Sequence, residues 1–579
     1  MFFLRRLFLL GVGLLLAGST LRAEQPVRPA LIGLDAIKPG QVGEVWTVFE
    51  GTKPEPFQVT VAGIVRNALG PGKSLILCRM TDPRVQKMGA VAGMSGSPLY
   101  IGGKLAGALS YQILSFETEH FAGFTPAADL AEVGGRTDLP ADSEPNLAAT
   151  AGRAYQPLRP SFVLSGLSPA VAALMEPTFR ALGLGAVALG GSTASAAGTT
   201  GAAPVTLAPG DAVSVALATG DITMAGTGTV SEMDGTRMVA FGHPMLSLGD
   251  VELPMCSAEI VTIIPSALES IKIANTGPII GTITQDRLSA VSGTLGRVPA
   301  MIDVTVQVKS AQPRELHFRV ARQAQLSPSI IAAGVSQAIV GSNDAGLNRG
   351  FKINTDVAYA GQQLMTNHAL YAGPQAFAAG VGEFVKSLSQ DLQNPYEKTF
   401  PQRVQFTVEA LDENPAVTLN LFQLSRRSAK VGDVVQAQLG WRDYQGGVHS
   451  TTVDIPIPPD WAGRNLEVVL APGPVLDQLS GHPASIAPSQ LRSFEAYLAA
   501  MKELRPSDGL YLAVVESAAI FTDQTEGVPE LPGSLARPAV AADEARFQTR
   551  TALFPLWETH VLAGKLAPVA LRRPLKITD

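Results

Sequence analysis

The chain has 579 residues, 46% of them hydrophobic and 16% charged, with a formal net charge of −6. That length calls for three or four domains, and the apolar share is enough for packed cores and too high for a disordered chain. The lack of a basic surplus argues against nucleic acid as a partner, while 57 Gly and 42 Pro favour many short strands and turns over long helices.

At the start, Arg5-Arg6 precede the apolar run Leu7–Ala17, and Ala23 stands at a cleavage position. A basic segment followed by an apolar core of this length is the pattern of a signal peptide, 1–23. The run is short for a bilayer span. An exported protein, periplasmic or secreted, with no stable membrane span after signal cleavage is therefore expected. Residues 24–135 read as a β-rich lobe, with strand candidates at Val42–Phe49, Phe57–Val65, Ser74–Cys78 and 98–111 separated by Gly/Pro clusters. Residues 136–205 read as an insert, with a helix over Pro169–Gly183 and a Gly/Ala/Ser/Thr linker over Gly190–Pro204.

A second β lobe is expected over 206–310, with a hairpin turn through Asp234-Gly235. Residues 311–402 form a mixed α/β region with helical patterns at Ser327–Val340 and Pro374–Leu392. Alternating apolar and polar residues over 403–475 suggest an Ig-like β-sandwich. The tail, 476–579, carries a helix near Pro488–Lys502 and no readable role. Cys78 and Cys256 allow either a disulfide or two buried thiols. No Cys/His spacing suggests a metal, and no cofactor is indicated.

The segment Val91-Ala-Gly-Met-Ser-Gly-Ser-Pro-Leu-Tyr100 places Ser95 on a tight glycine turn between apolar runs. Serine is a poor nucleophile until a base and a positioned environment activate it. A Gly-x-Ser-Gly turn exposes the hydroxyl and aims nearby N–H groups, here those of Gly93 and Ser95, at one point where an oxyanion could sit. The residues that follow read as strand, Gly102-Gly103 turn, strand. A nucleophile of the α/β-hydrolase kind would be followed by a helix, so this hairpin fits a trypsin-like β-barrel and argues against an esterase of that fold. Ser97 is the alternative nucleophile.

Three islands together resemble the SpoIVB-type serine peptidases of bacterial sporulation: Thr81-Asp82-Pro83-Arg84, Gly93-Met-Ser-Gly-Ser-Pro98 with the run at 103–108, and Val239-Ala-Phe-Gly-His-Pro-Met245. The resemblance implies Ser95 as nucleophile, His243 as general base and Asp82 as its acidic partner. In that family the histidine segment precedes the serine segment, and here the order is reversed. A mainly β fold is therefore expected, with two trypsin-like β-barrel lobes in permuted order, a mixed α/β region and a C-terminal β-sandwich. Of the seven histidines, His120 is the rival base. Asp250 and Glu252 are alternative orienters of His243. The implied function is an exported serine endopeptidase acting on a protein or peptide. The alternative is a catalytically inactive cell-envelope binding protein on the same scaffold.

Overall fold

Residues 29–113, 119–136, 156–158, 161–184, 191–192, 206–266, 270–341, 345–361, 364–394, 397–482, 493–523, 526–529 and 547–578 are described by a computed structural model. The leader and nearly all of the Gly/Ala/Ser/Thr tract lie outside them.

In the first lobe the first three strands alternate buried and more exposed residues, whereas the last three are buried on both faces. The six are β1 (Val42–Val48), β2 (Pro54–Val65), β3 (Leu75–Met80), β4 (Pro98–Ile101), β5 (Lys104–Gln112) and β6 (Phe121–Pro126). Their order is β4-β1-β2-β3-β6-β5, and β5 pairs back onto β4, so the ring is a closed six-stranded antiparallel barrel. Closure removes unpaired edges, and Val45, Phe57, Val59, Ile76, Met94 and Leu99 fill the interior. The β4–β5 hairpin turns at Gly102 and Gly103, both at positive φ, as a two-residue turn of the I′ kind requires. Helix α1 (Pro83–Gln86) leads into the serine loop, and α2 (Ala127–Gly134) follows β6.

The chain continues through β7 (Gln156–Pro157), β8 (Ser161–Ser165), α3 (Pro169–Ala181) and β9 (Gly191–Ser192). The second lobe then forms from β10 (Ala212–Gly220), β11 (Thr223–Asp234), β12 (Arg237–Ala240), β13 (Gly249–Ile264), β14 (Ile271–Arg287) and β15 (Ala290–Leu295). The order β10-β13-β14-β15-β12-β11, with β11 returning to β10, closes a second six-stranded antiparallel barrel. Strands β13 and β14 are long, and bulges in their pairing let them coil. Their far ends leave this barrel and reach the first one through the bridges Gly51–Ile260 and Ala92–Ile271.

Beyond β10 the sheet extends through β16 (Met301–Lys309) and β17 (Arg314–Ala321) to β18 (Phe351–Tyr359), β19 (Met365–Tyr371) and β20 (Pro401–Ala410). Helices α4 (Ser327–Ile339) and α5 (Pro374–Leu392) pack on it, and Ile330, Ile331, Phe351 and Phe377 share one core with the second barrel. The C-terminal sandwich has one sheet of β21 (Val417–Leu424), β23 (Val434–Asp443) and β24 (Val448–Pro456). The other sheet contains β22 (Ser428–Lys430), β25 (Asn465–Pro472), β26 (Leu510–Asp523), β27 (Glu526–Pro529), β28 (Phe547–His560) and β29 (Leu571–Thr578). Helices α6 (Gly473–Ser480) and α7 (Phe494–Lys502) lie between β25 and β26.

The protein is mainly β, as expected, but the sandwich is distributed differently from the expected span 403–475. Strand β20 joins the barrel extension, pairing with β16 and β18. The second sandwich sheet needs β26, β28 and β29 from the tail, because β25 is flanked by β26 and β29. No helix among the described residues is long and apolar enough to cross a membrane.

Candidate active site

The serine loop begins where β3 ends. Asp82 caps α1 by accepting the Arg84 N–H at 2.9 Å, and the chain then makes two tight turns closed by Met94 N–H to Val91 C=O and Ser97 N–H to Met94 C=O. Gly93 has φ +91° and Gly96 φ +94°, a region open to glycine and costly for other residues. A Cβ on Gly93 would stand 3.1 Å from Lys272 Cβ, and one on Gly96 would overlap the Thr229 carbonyl and the Phe241 nitrogen. The buried Lys272 amine donates to Thr47 Oγ1 at 2.8 Å, and burial pushes it down to about 7.

The loop sits in the seam between the barrels. Thr229 N–H donates to the Ser95 carbonyl at 2.8 Å, and Ser231 Oγ donates to the Gly96 carbonyl at 2.7 Å. Ser95 is fully buried and its Oγ has no partner. Among the described residues the N–H groups of Gly93 and Ser95 also meet no acceptor. Buried donors are usually paired, and here three polar groups on one turn are unfilled.

His243 follows β12 across that seam. The backbone turns sharply at Phe241 (φ +70°) and Gly242 (φ +68°), and Thr125 Oγ1 of the first barrel donates to the Gly242 carbonyl at 2.6 Å. His243 Nδ1 lies 2.7 Å from the Pro244 carbonyl. A carbonyl only accepts, so Nδ1 carries the proton and Nε2 keeps a lone pair. Nε2 is buried without a partner. The ring stands edge-on to Tyr111 at 6.5 Å between centroids and tilted to Phe241 at 6.1 Å. Burial pushes the imidazole down to about 4, against the pull of the Pro244 and Leu158 carbonyls, so it is neutral at ordinary pH, with a lone pair on Nε2, and in this enclosed state a weaker base than a free imidazole. Ser95 and His243 thus flank one inter-barrel seam, although no hydrogen bond joins Oγ to Nε2.

Residues 20–124 match the SpoIVB peptidase S55 family. No curated protein and no solved structure is significantly similar to the chain. The matched stretch contains the first barrel almost entirely, with Asp82, Gly93 and Ser95, and ends before His243.

Within this SpoIVB-like module Asp82 turns to Arg84, whose guanidinium holds the carboxyl below its ordinary value. No hydrogen bond links it to His243. Asp250 accepts from Gln285 and pairs with Arg287 at 2.8 Å, and Glu252 pairs with Arg297 at 2.9 Å. Ser97 Oγ is committed to the Met94 carbonyl at 2.6 Å, and His120 packs beside Gly89. Cys78 and Cys256 are buried free thiols pushed up to about 12 by burial. No metal-binding cluster occurs among the described residues.

One residue escaped the sequence reading. Asp286, at the end of β14, is fully buried and accepts backbone N–H groups from the loop after His243. Its sequence context, Gln285-Asp-Arg287, is that of an ordinary strand end, and nothing in it signals a partner 38–41 residues away.

Proposed function

We propose that the chain is an exported serine endopeptidase of the SpoIVB type, built from two barrels in permuted order. Ser95 Oγ attacks the scissile carbonyl and passes its proton to His243 Nε2. The new oxyanion takes hydrogen bonds from the Gly93 and Ser95 N–H groups. His243 then returns the proton to the leaving amine; in the second half it takes a proton from the water that attacks the acyl-enzyme and gives it back to Ser95 Oγ as the acid product departs. The observation that carries this reading is the set of unpartnered groups in one seam: Ser95 Oγ, His243 Nε2 and two backbone donors. Substrates are proteins or peptides, and a narrow regulatory role in the cell envelope suits a site this enclosed. A substrate reaches it only by displacing what covers it, including Leu158, whose carbonyl lies against the imidazole.

A second reading, a binding protein on a catalytically silent scaffold, draws on the full burial of both side chains and the missing Ser95–His243 hydrogen bond. A fluorophosphonate probe separates the two. Labelling of the wild type that disappears in Ser95→Ala and in His243→Ala is the expected result. A well-folded wild type that takes no label, or label that persists in Ser95→Ala, removes the peptidase mechanism.

A further inference from the structure

Asp286 Oδ1 accepts the Met245 N–H at 2.7 Å, and Oδ2 accepts those of Leu246 at 2.9 Å and Leu248 at 3.1 Å. Burial pushes the Asp286 carboxyl above its ordinary value, and the backbone N–H groups around it pull the other way, toward the ionised form. The loop so gathered is irregular, with Ser247 at φ +60°. It is also the loop that holds the general base.

The decisive detail is a shared peptide unit. The Pro244 carbonyl accepts from His243 Nδ1 at 2.7 Å, and the N–H of that same amide, on Met245, donates to Asp286. The amide is planar and rigid, so fixing its N–H fixes its carbonyl. Hydrogen bonds in series polarise one another, and a carboxylate on the N–H makes the carbonyl a stronger acceptor.

We propose that Asp286 is the acidic partner of His243, acting through the Pro244–Met245 peptide unit. It is a positioning residue: it holds the imidazole in the Nδ1–H tautomer and supports the imidazolium during proton transfer. In the familiar triad the carboxylate touches the imidazole directly; here one amide stands between them. Around the ring are Tyr111 from β5, Phe241 from its own turn and the Leu158 carbonyl, and among the described residues no charged side chain acts on it. The other candidate acids are engaged elsewhere, Asp82 with Arg84, Asp250 with Arg287 and Glu252 with Arg297.

The catalytic half of this inference rests on the peptidase reading, and the test separates the two. The full chain is labelled with ¹⁵N-histidine, and the His243 signals are assigned with a His243→Gln control. In the wild type, Nδ1 should be protonated and Nε2 bare across neutral pH. In Asp286→Asn, which keeps size but loses charge, the imidazole should titrate at lower pH. Fluorophosphonate labelling should slow about 10- to 100-fold with its acid midpoint displaced the same way. A role confined to holding the loop would leave both midpoints in place. A folded Asp286→Asn protein with unchanged labelling and titration overturns the proposal. So does a wild-type His243 protonated on Nε2, a result that does not require the variant to fold. If the wild type takes no label, the peptidase reading fails by itself, and the ¹⁵N titration alone then supports or overturns the coupling.

Discussion

The two barrels share one design, six antiparallel strands closed in a ring, yet they prepare their contributions in opposite ways. The first barrel presents Ser95 on a loop whose N–H groups at Gly93 and Ser95 meet no acceptor among the described residues. The second presents His243 on a loop whose N–H groups at Met245, Leu246 and Leu248 are all taken up by Asp286. The difference follows from the chemistry each loop would perform. Donors for an oxyanion must stay free until substrate brings the charge. A base must keep one tautomer and one orientation, so the backbone around it is tied down.

The seam between the barrels is the most sensitive point of that comparison. Gly96→Ala should have the largest structural effect, since its Cβ would overlap the Thr229 carbonyl and Phe241 nitrogen, both backbone, at a φ of +94°. Neither neighbour can move without shifting β11 or the His243 turn. A loss of about 3 kcal/mol or more is expected, read as a lowered denaturation midpoint or as failure to recover soluble protein. A near-wild-type midpoint would mean that the serine loop does not pack into the second barrel as described.

A smaller effect separates the two loops by pH. His243 titrates near 4 when folded and at 6.5 when unfolded, so the unfolded chain binds the extra proton between those values. Stability should therefore fall as the pH drops from about 6.5 to about 4 and change little from this source below that. The contribution is about 3 kcal/mol. Denaturation of wild type and His243→Gln across that window should show a slope that the variant lacks. Equal slopes would mean that the imidazole is solvated and the site is open.

Legibility in the sequence followed the range of the interactions. The Gly102-Gly103 hairpin, the Ser95 turn and α5 at Pro374–Leu392 were readable because their determinants are local: glycines at positive φ, a proline in the first helical turn. The sharp turn that carries His243 was readable from its flanking Gly242 and Pro244. The destination of β20 was not, since its alternating pattern suits any half-buried sheet and only its pairing with β16 and β18 assigns it. Asp286 was silent for the same reason. Its role exists only once β14 is laid beside the loop that follows β12, and the sequence resemblance directed attention to Asp82 instead.

Asp82→Ala carries the smallest expected effect and bears most directly on which carboxylate serves His243. The side chain caps a one-turn helix through the Arg84 N–H and pairs with a half-exposed guanidinium. Losing such a cap costs about 1 kcal/mol, and a solvent-screened ion pair adds little. Fluorophosphonate labelling should stay within a few-fold of wild type, whereas removing an acid that touches the base would cost about 10⁴-fold. Should labelling collapse while the denaturation midpoint moves only slightly, Asp82 must swing to the imidazole in the working enzyme. The first barrel would then supply both nucleophile and acid, and the link from Asp286 through the Pro244–Met245 amide would be reduced to a brace for the loop.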